Sequence, residues 1–591
     1  MSLASSPNKN WTWSHSRTVA ESGIKPHGIM FAVIATLVKK YFQLMYHVED
    51  LQERCLYNEF KRSVDEDSEV KMEDTPVQVE NNFVTCQSSR IPSHHVCHVR
   101  NICYEPNHNT FVYFYRDNNV PFIDKQSLPY LSTPVGFNNH QMSVTYVNEK
   151  FADELKLKWI NKTTYIFNRF KSDNLMHVLH DDLMPLFFTL KHFEGLKSNM
   201  AATKFDVQLL FLDDWPRGDF MELYNMFTNS APIYRVDLLR ERELLCFSSA
   251  IVGLLLDTLW YKYGFTEPQG PIADSSVNAQ HIRSASQFIL QNLNLKQEVK
   301  ESSDYIVLIS RKENRKILNE NDLVRKISQE FAMKVIILGS ETHALNEMIS
   351  LVANSIGIMG VHGSLLSLAV FLKPGSMLIE LFPYAVPAIQ YTPYKTLVDL
   401  DGMGIAYKSW ENTYPDTTIG HPDYIPEHGG ITHLSLEEQQ MIINQKTVPR
   451  HLCCNDPSWL YHIYQDTSVN ITEIIPLMKM ALNQRHNKRI LNITETPSKV
   501  KNILCRLENN ESKCNIQLQW DKPWNIHFLN FTNLHYDVLL ENTGSNDTVL
   551  YVVNQDSLTV DIDCEKNYIV WVRAVINDYV YGDYVSEECH V

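Results

Sequence analysis

GIMGVHGSLLSLAVFLKPGSMLIELFP, residues 357–383, decides how this chain is read. Two apolar, strand-like runs bracket it. The first leads into His362-Gly363-Ser364. The second, Ser376-Met377-Leu378-Ile379, ends at Glu380. Leu365 to Pro374, between them, carries a helical apolar pattern. The unit is predicted as strand, tight glycine turn, helix and second parallel strand. At the end of the first strand Gly363 lets backbone approach a ligand, and the following helix presents free N–H groups, a place for phosphate. Glu380, at the end of the second strand, is placed to accept hydrogen bonds from a ribose diol. The unit reads as half of a nucleotide site; an ordinary βαβ unit with a structural glycine shares the same spacing.

Outward from that stretch, 591 residues allow two to four domains with a sizeable core. A hydrophobic content of 44% with 11% aromatics excludes general disorder, and a net charge of −16 argues against nucleic acid as a partner. The 11 cysteines include no CxxC pair. Six sequons lie beyond residue 150, at Asn161, Asn470, Asn492, Asn510, Asn530 and Asn546, and suit a lumenal protein better than a cytosolic one. Residues 1–27 are a polar segment, expected on the cytoplasmic side. The apolar run from Gly28 to Val38 is broken by Lys39-Lys40 and resumes to Tyr46. Counted as 28–46 it is a signal anchor long enough only if the lysines snorkel; a signal-peptide core and a buried helix compete with that reading. Residues 47–80 are charged and read as a stem.

The folded region is expected from Cys86. Cys86, Cys97 and Cys103 suggest a local disulfide in an oxidising compartment. The second informative stretch is Tyr165 to Phe188, YIFNRFKSDNLMHVLHDDLMPLFF. Ser172 is a helix cap in this reading. On a helical wheel His177, His180, Asp181 and Met184 fall opposite the apolar side, with His177 and Asp181 at i,i+4. Asp182 lies in the apolar arc and needs a buried partner. The His–Asp pair reads as a general base, a metal pair or a polar surface. Arg169, just before the helix, offers a fixed positive charge. Val207–Leu212, Leu244–Phe247 and Ala250–Gly253 are predicted strands, with Cys246 in the core. A helix at Ala279–Leu293 crosses to a second domain. There Asp304–Ser310 is a strand ending at Arg311-Lys312-Glu313-Asn314-Arg315, a basic rim facing phosphate. Arg311 and His362 thus come from strand ends of one sheet.

The order strand–Ser310–Arg311, then His362-Gly363-Ser364-Leu365, Phe371-Leu372-x-Pro374-Gly375 and Glu380-Leu-Phe-Pro383 resembles glycosyltransferase family 61. Asn174-x-x-His177-x-x-x-Asp181 with Pro185 resembles that family's N-terminal signature. Further runs, among them Tyr391–Leu397, Gly429–Leu434 and Val448–Cys454, carry the resemblance over roughly residues 80–591. Ser364 stands where the family has a small Ala. The resemblance implies an α/β fold of two Rossmann-like halves facing across a cleft, the GT-B arrangement. They are an acceptor-side half at 81–266 and a nucleotide-sugar half at 267–485 with a closing helix at 471–485. It implies an inverting transfer of N-acetylglucosamine from UDP-GlcNAc, in β-1,4 linkage, to O-linked mannose on Ser or Thr of a glycoprotein such as α-dystroglycan. The cleft is expected to work without a metal; Asp399-Leu-Asp401 is the competing metal motif. Asp181 is the first choice for the base and His177 the second, as base or orienting partner. Arg169, Arg311, His362, Gly363, Ser364 and Glu380 are assigned to the nucleotide sugar. An endoplasmic reticulum membrane location, type II, goes with this, and a homodimer is compatible. Other family 61 chemistries, xylose or direct O-GlcNAc transfer, would use the same cleft, and an inactive lectin-like scaffold would keep the fold.

Glu427–His433 is placed on the acceptor side or in a glycine turn, and Cys453-Cys454 in separate disulfides. Residues 490–591 alternate with period two between Asn, Asp, Gly and Pro turns. Trp520 and the strand Tyr568–Ala574 resemble an all-β fibronectin type III sandwich, with Cys505, Cys514, Cys564 and Cys589 available for one or two bridges.

Overall fold

Five apolar runs between residues 305 and 411 pair side by side, all parallel: β1 (Tyr305–Ile309), β2 (Lys334–Leu338), β3 (Gly357–Val361), β4 (Met377–Phe382) and β5 (Ala406–Glu411). Their order is β2-β1-β3-β4-β5. The computed structural model describes residues 84–87, 96–115, 130–131, 140–148, 150, 152, 156–194, 204–241, 244–264, 268–273, 275, 277–295, 305–451, 455–487, 496–510, 513–529, 531–544, 548–564 and 566–589. All lie in the unit Glu80–Val591. The segments expected at 1–27, 28–46 and 47–80 fall outside the described residues, as do Cys453, Cys454, Asn492, Asn530 and Asn546. Among the described residues no helix is long and apolar enough to cross a membrane.

The sheet is covered on both faces, which is why its strands are apolar throughout rather than alternating. Ile306 and Leu308 face a layer containing the helices Glu320–Phe331 and Ile471–Asn487. Val307 and Ile309 face the opposite layer, with Ala279–Asn292, Leu345–Ala353 and Pro393–Asp399. From β1 the chain moves outward to β2, then returns to β3 on the other side of β1. Such a reversal opens a crevice outside the strands' carboxyl ends. Arg311 follows β1 and His362 follows β3, so both stand at that crevice.

Two expectations change here. The segment after Gly363 is a 3₁₀ helix, Ser364–Phe371, with Leu365 to Phe371 all buried. It must run back the length of a five-residue strand, about 16 Å. Eight residues at a rise of about 2.0 Å cover that, and the same number in an α-helix would not. The second strand does not end at Glu380: β4 continues to Phe382, so Glu380 is interior, opposite Gly360 and Ser409.

The preceding sheet has nine strands and is mixed. Ile233–Tyr234, Gln208–Phe211, Thr164–Phe167 and Leu244–Val252 are parallel neighbours. Val96–Glu105 and Thr110–Tyr115 extend it antiparallel, because the turn Pro106–Asn109 is too short for any other pairing. The two strands expected at 244–253 are one. Cys86–Cys97 is the local disulfide expected. Cys246 is buried in the core as expected, and strand register sets it opposite Cys103, to which it is bridged.

Beyond residue 496 two antiparallel sheets pack face to face, one of three strands and one of five. Ile516, Leu518, Trp520, Tyr536, Val538, Val570 and Val572 fill the core between them. The alternating residues point inward because strand side chains alternate faces. Both bridges form, Cys505–Cys589 and Cys514–Cys564. Of the sequons, Asn161 is exposed between two strands, Asn470 hydrogen-bonds Glu473 and Thr472 at a helix start, and Asn510 closes the strand Lys501–Asn510.

Candidate active site

The first sheet delivers a helix to the crevice from the other side. Its cap is Asn174, whose side chain accepts from the Met176 N–H; Ser172, the expected cap, instead donates to the Pro216 carbonyl. One α-turn, Leu175–His177, passes into a π-helical segment, Val178–Leu183, before regular helix resumes at Met184. A π-turn adds a residue to the turn and re-aims the side chains around it. Here it brings two histidines onto one carboxylate. His177 Nδ1 lies 2.5 Å from Asp181 Oδ2, and His180 Nδ1 meets Asp181 Oδ1. The Trp260 backbone N–H donates to His180 Nε2, so the proton of that ring sits on Nδ1 and points at Asp181.

The polar surface that the wheel allowed is therefore a buried network. Its face packs on Trp260 and Tyr263 instead of meeting water. The Asp181 side chain is fully buried, and its two oxygens are both engaged. Burial alone would raise its carboxyl, but His180 and His177 outweigh this and hold it below the usual carboxylate range. Asp181 is buried behind His177 and absent from the cavity wall, so an acceptor hydroxyl does not reach it, which corrects its first place as base. His177 keeps 10% of its side chain exposed and lines a cavity of about 420 Å³. With Nδ1–H given to Asp181, Nε2 carries the lone pair. Phe170 and Tyr263 hold the ring, each with its centroid 4.6 Å away. Asp182 finds the buried partners it needed: the Tyr224 hydroxyl donates at 2.5 Å and the Phe170 N–H at 3.2 Å. Burial pushes its carboxyl well up.

The second sheet supplies His362, Gly363 and Ser364 to the same cavity, together with Arg315, Tyr394, Trp459 and Tyr464. Gly363 has an extended backbone, and it is glycine for want of space: a Cβ there would lie 2.6 Å from Arg315 Nη1 and 2.8 Å from Arg311 Nη2. Arg315 stacks on Tyr464 at 4.6 Å and donates to the His362 carbonyl. Among the described residues the buried Nε and Nη2 of Arg311 meet no acceptor. Burial, with Arg315 beside it, pushes the Arg311 guanidinium down to about 9. Arg315 stands on the cavity wall, and Arg311, its donors unsatisfied, lies beside it against Gly363 and off the wall; the pair makes a site for a multiply charged anion.

Two assignments to the nucleotide do not survive. Glu380 is completely buried, its oxygens taken by His362 Nδ1 at 2.5 Å and the Tyr407 hydroxyl at 2.6 Å. It orients the His362 ring and cannot reach a ribose, because β4 runs two residues further and keeps it inside. Arg169 is 1% exposed and absent from the cavity wall. Its guanidinium grips Asp213 and donates to the carbonyls of Trp215 and Arg217. Asp399, of the competing metal motif, pairs with Lys395 on a half-exposed helix face away from the cavity lining. His428, in the stretch considered for the acceptor side, lies in a short helix against Tyr464.

The basic rim read from the sequence contained Arg315 but singled out Arg311, and it is Arg315 that reaches the cavity wall; His180 as a partner of Asp181 was missed. Trp459 and Tyr464 carried no signal, arriving from a helix about a hundred residues downstream.

A description as Glycosyltransferase 61 matches residues 175–379, from the helix of His177 to β4. Proteins named protein O-linked-mannose beta-1,4-N-acetylglucosaminyltransferase 2 align along almost the whole chain. That of Xenopus laevis is 33% identical over 94% of this chain and 97% of its own length. Those of Bos taurus and Homo sapiens are each 33% identical over 95% of this chain and 98% of theirs. Among solved structures, an FN3 domain of human collagen XX overlaps 17% of this chain and 98% of its own at 16% identity and a TM-score of 0.13, too slight to bear on the fold. The family match and the relatives make this chain a glycosyltransferase. The chain belongs to glycosyltransferase family 61.

Proposed function

We propose that this chain transfers N-acetylglucosamine from UDP-GlcNAc, in β-1,4 linkage with inversion, to mannose O-linked to Ser or Thr of a glycoprotein. The observation that carries this is the meeting of His177 from one sheet with Gly363 and Arg315 from the other on one cavity, in a chain 33% identical to transferases of that name over 94% of its length. The two sheets are the halves of a GT-B arrangement, and the C-terminal β-layers are a fibronectin type III module. Disulfides Cys86–Cys97, Cys103–Cys246, Cys505–Cys589 and Cys514–Cys564 fit an oxidising lumen. With an anchor at 28–46, that lumen is the endoplasmic reticulum's. An α-dystroglycan-like acceptor goes with the same reading.

In this mechanism the mannose 4-hydroxyl lies against His177 Nε2. Its oxygen attacks C1 of the sugar from the face opposite UDP, and Nε2 takes the proton. The C1–O bond to UDP breaks with its electron pair going to the diphosphate. Charge on that leaving group is met by Arg315 on the cavity wall, with Arg311 adding positive charge from beside Gly363, and by backbone N–H groups after Gly363. Asp181 stabilises the imidazolium that forms and fixes its tautomer, as the carboxylate of a catalytic triad does. No step calls on a metal.

The test is turnover of UDP-GlcNAc by the purified chain with an O-mannosylated peptide, with and without EDTA, beside UDP-xylose and an unmannosylated peptide. Transfer from UDP-GlcNAc to the mannosyl peptide alone, unchanged by EDTA, is expected. Transfer to the bare peptide, or from UDP-xylose, would replace the donor or acceptor named here. Loss with EDTA would end the metal-free mechanism.

A further inference from the structure

A buried ion pair in the first sheet holds a tryptophan at the cavity rim. Trp215 lines the cavity yet is 37% exposed. It follows Gln208–Phe211 on a loop that has no regular structure to hold it. The loop is fixed from below. Asp213 accepts from the Arg169 backbone N–H at 2.7 Å and from its guanidinium Nη2 at 2.7 Å. The Arg169 guanidinium also donates to the Trp215 carbonyl at 2.9 Å and the Arg217 carbonyl at 3.0 Å. Asp213 accepts from the Trp215 N–H in turn. Ser172 donates to the Pro216 carbonyl. Gly218, at φ +79°, closes the loop so tightly that a Cβ would lie 2.6 Å from the Ser172 carbonyl oxygen.

So much buried polar structure is costly to assemble, and what it fixes is the backbone that carries one indole to the cavity. Lys171 Nζ stands 6.0 Å from the ring centroid, and Asn174 lines the same cavity. A flat apolar face edged by hydrogen-bonding side chains matches a pyranose, which has an apolar C–H face and a rim of hydroxyls. The side of the cavity decides which sugar. Residues 169–171 divide the work: Arg169 holds the loop, Phe170 packs on the His177 ring at 4.6 Å, and Lys171 faces Trp215. The guanidinium groups and Gly363 belong to the second sheet. The hydroxyl that loses its proton must lie on the His177 side.

We propose that Trp215 is the platform for the acceptor sugar, with Lys171 at its edge, and that Arg169 is a positioning residue for that platform. The inference rests on the transferase reading above. Its test is steady-state kinetics of Trp215→Ala and Trp215→Phe on an O-mannosylated peptide, with UDP-GlcNAc hydrolysis measured without acceptor. Trp215 is exposed, so the variants fold, which an unchanged Tm verifies. Trp215→Ala raises the acceptor KM by about tenfold, leaves donor KM and hydrolysis unchanged, and Trp215→Phe recovers most of the loss. An unchanged acceptor KM beside an active wild type overturns the platform alone. A raised donor KM with the acceptor KM unchanged moves Trp215 to the donor and overturns it too. A wild type that transfers nothing to the mannosyl peptide removes the parent reading and this one with it.

Discussion

Asp181 Oδ2 accepts from His177 Nδ1 at 2.5 Å, and only the histidine of that pair reaches the cavity. In the proposed mechanism the carboxylate is the partner and the imidazole the base. His177→Ala therefore lowers kcat by about 10²–10⁴-fold while the affinity for UDP, measured by calorimetry, stays as it was. Asp181→Asn lowers kcat as well, since an amide can hold the wrong tautomer. A His177 variant with wild-type turnover would remove the imidazole from the chemistry.

Gly363 and the two arginines make a sharper test of the anion site. Gly363→Ala places a methyl 2.6 Å and 2.8 Å from the Arg315 and Arg311 guanidinium groups, so both must shift. UDP binding weakens by about tenfold or more, as expected for lost charge-assisted hydrogen bonds. UMP, with one phosphate fewer, loses less. Equal losses for the two nucleotides would show that the arginines do not meet the diphosphate.

Glu380 is expected to act on the donor only through His362. Glu380→Gln keeps its shape but weakens a charge-assisted bond to the ring. Donor KM rises a few-fold and acceptor KM stays constant. If Glu380 bound a ribose diol, a 2′-deoxy donor would lose affinity on the wild type and nothing further on the variant; here the two losses add.

Asp182 supports the base without touching it. Asp182→Ala leaves the Tyr224 hydroxyl and the Phe170 N–H buried with no acceptor. Each costs about 1–3 kcal/mol, read as a lower urea midpoint. Because burial already pushes the carboxyl well above the usual carboxylate range, and an Asn oxygen still accepts, Asp182→Asn costs much less. Equal destabilisation by the two substitutions would mean that Asp182 is ionised.

Two histidines between the β-layers and the preceding domain set an acid limit on stability. Burial, with Lys191 nearby, pushes His281 down to about 4 from 6.5. Burial, with His527 beside it, does the same to His192. His281 packs on Phe188 and on Trp524 of the C-terminal region, and His192 on His527. The folded pKa lies below the unfolded one, so the unfolded chain binds more protons between the two. Stability is complete above pH 6.5 and falls as pH drops toward 4, by up to about 1.4 kcal/mol per pH unit for a fully buried ring. His281→Gln retains an acceptor for the Asn278 N–H and flattens the fall of Tm with pH over that window. A slope unchanged by the substitution would show that His281 titrates normally.

Local pattern was enough for much of this chain. Apolar runs punctuated by glycine located β1, β3 and β4, because a strand buried on both faces must be apolar at every position. The placing of Arg311, His362 and Gly363 at strand ends followed from the same runs. So did the i,i+4 pairing of His177 with Asp181, which depends only on helical spacing. What side chains do inside a packed structure was not legible. A wheel drawn at 100° per residue set His180 on the side of Asp181 but has no place for a π-turn, so the bond between the two was not legible. The core position of Cys246 was legible but its bridge was not, because its partner, Cys103, lies 143 residues away and is opposed only by strand register. Arg169 and Glu380 are charges at the right addresses for a nucleotide, and tertiary packing turned both inward, one to hold a loop and the other a histidine. Burial decides which of two hydrogen-bonded groups meets the substrate, and burial belongs to the whole fold, not to any stretch of it.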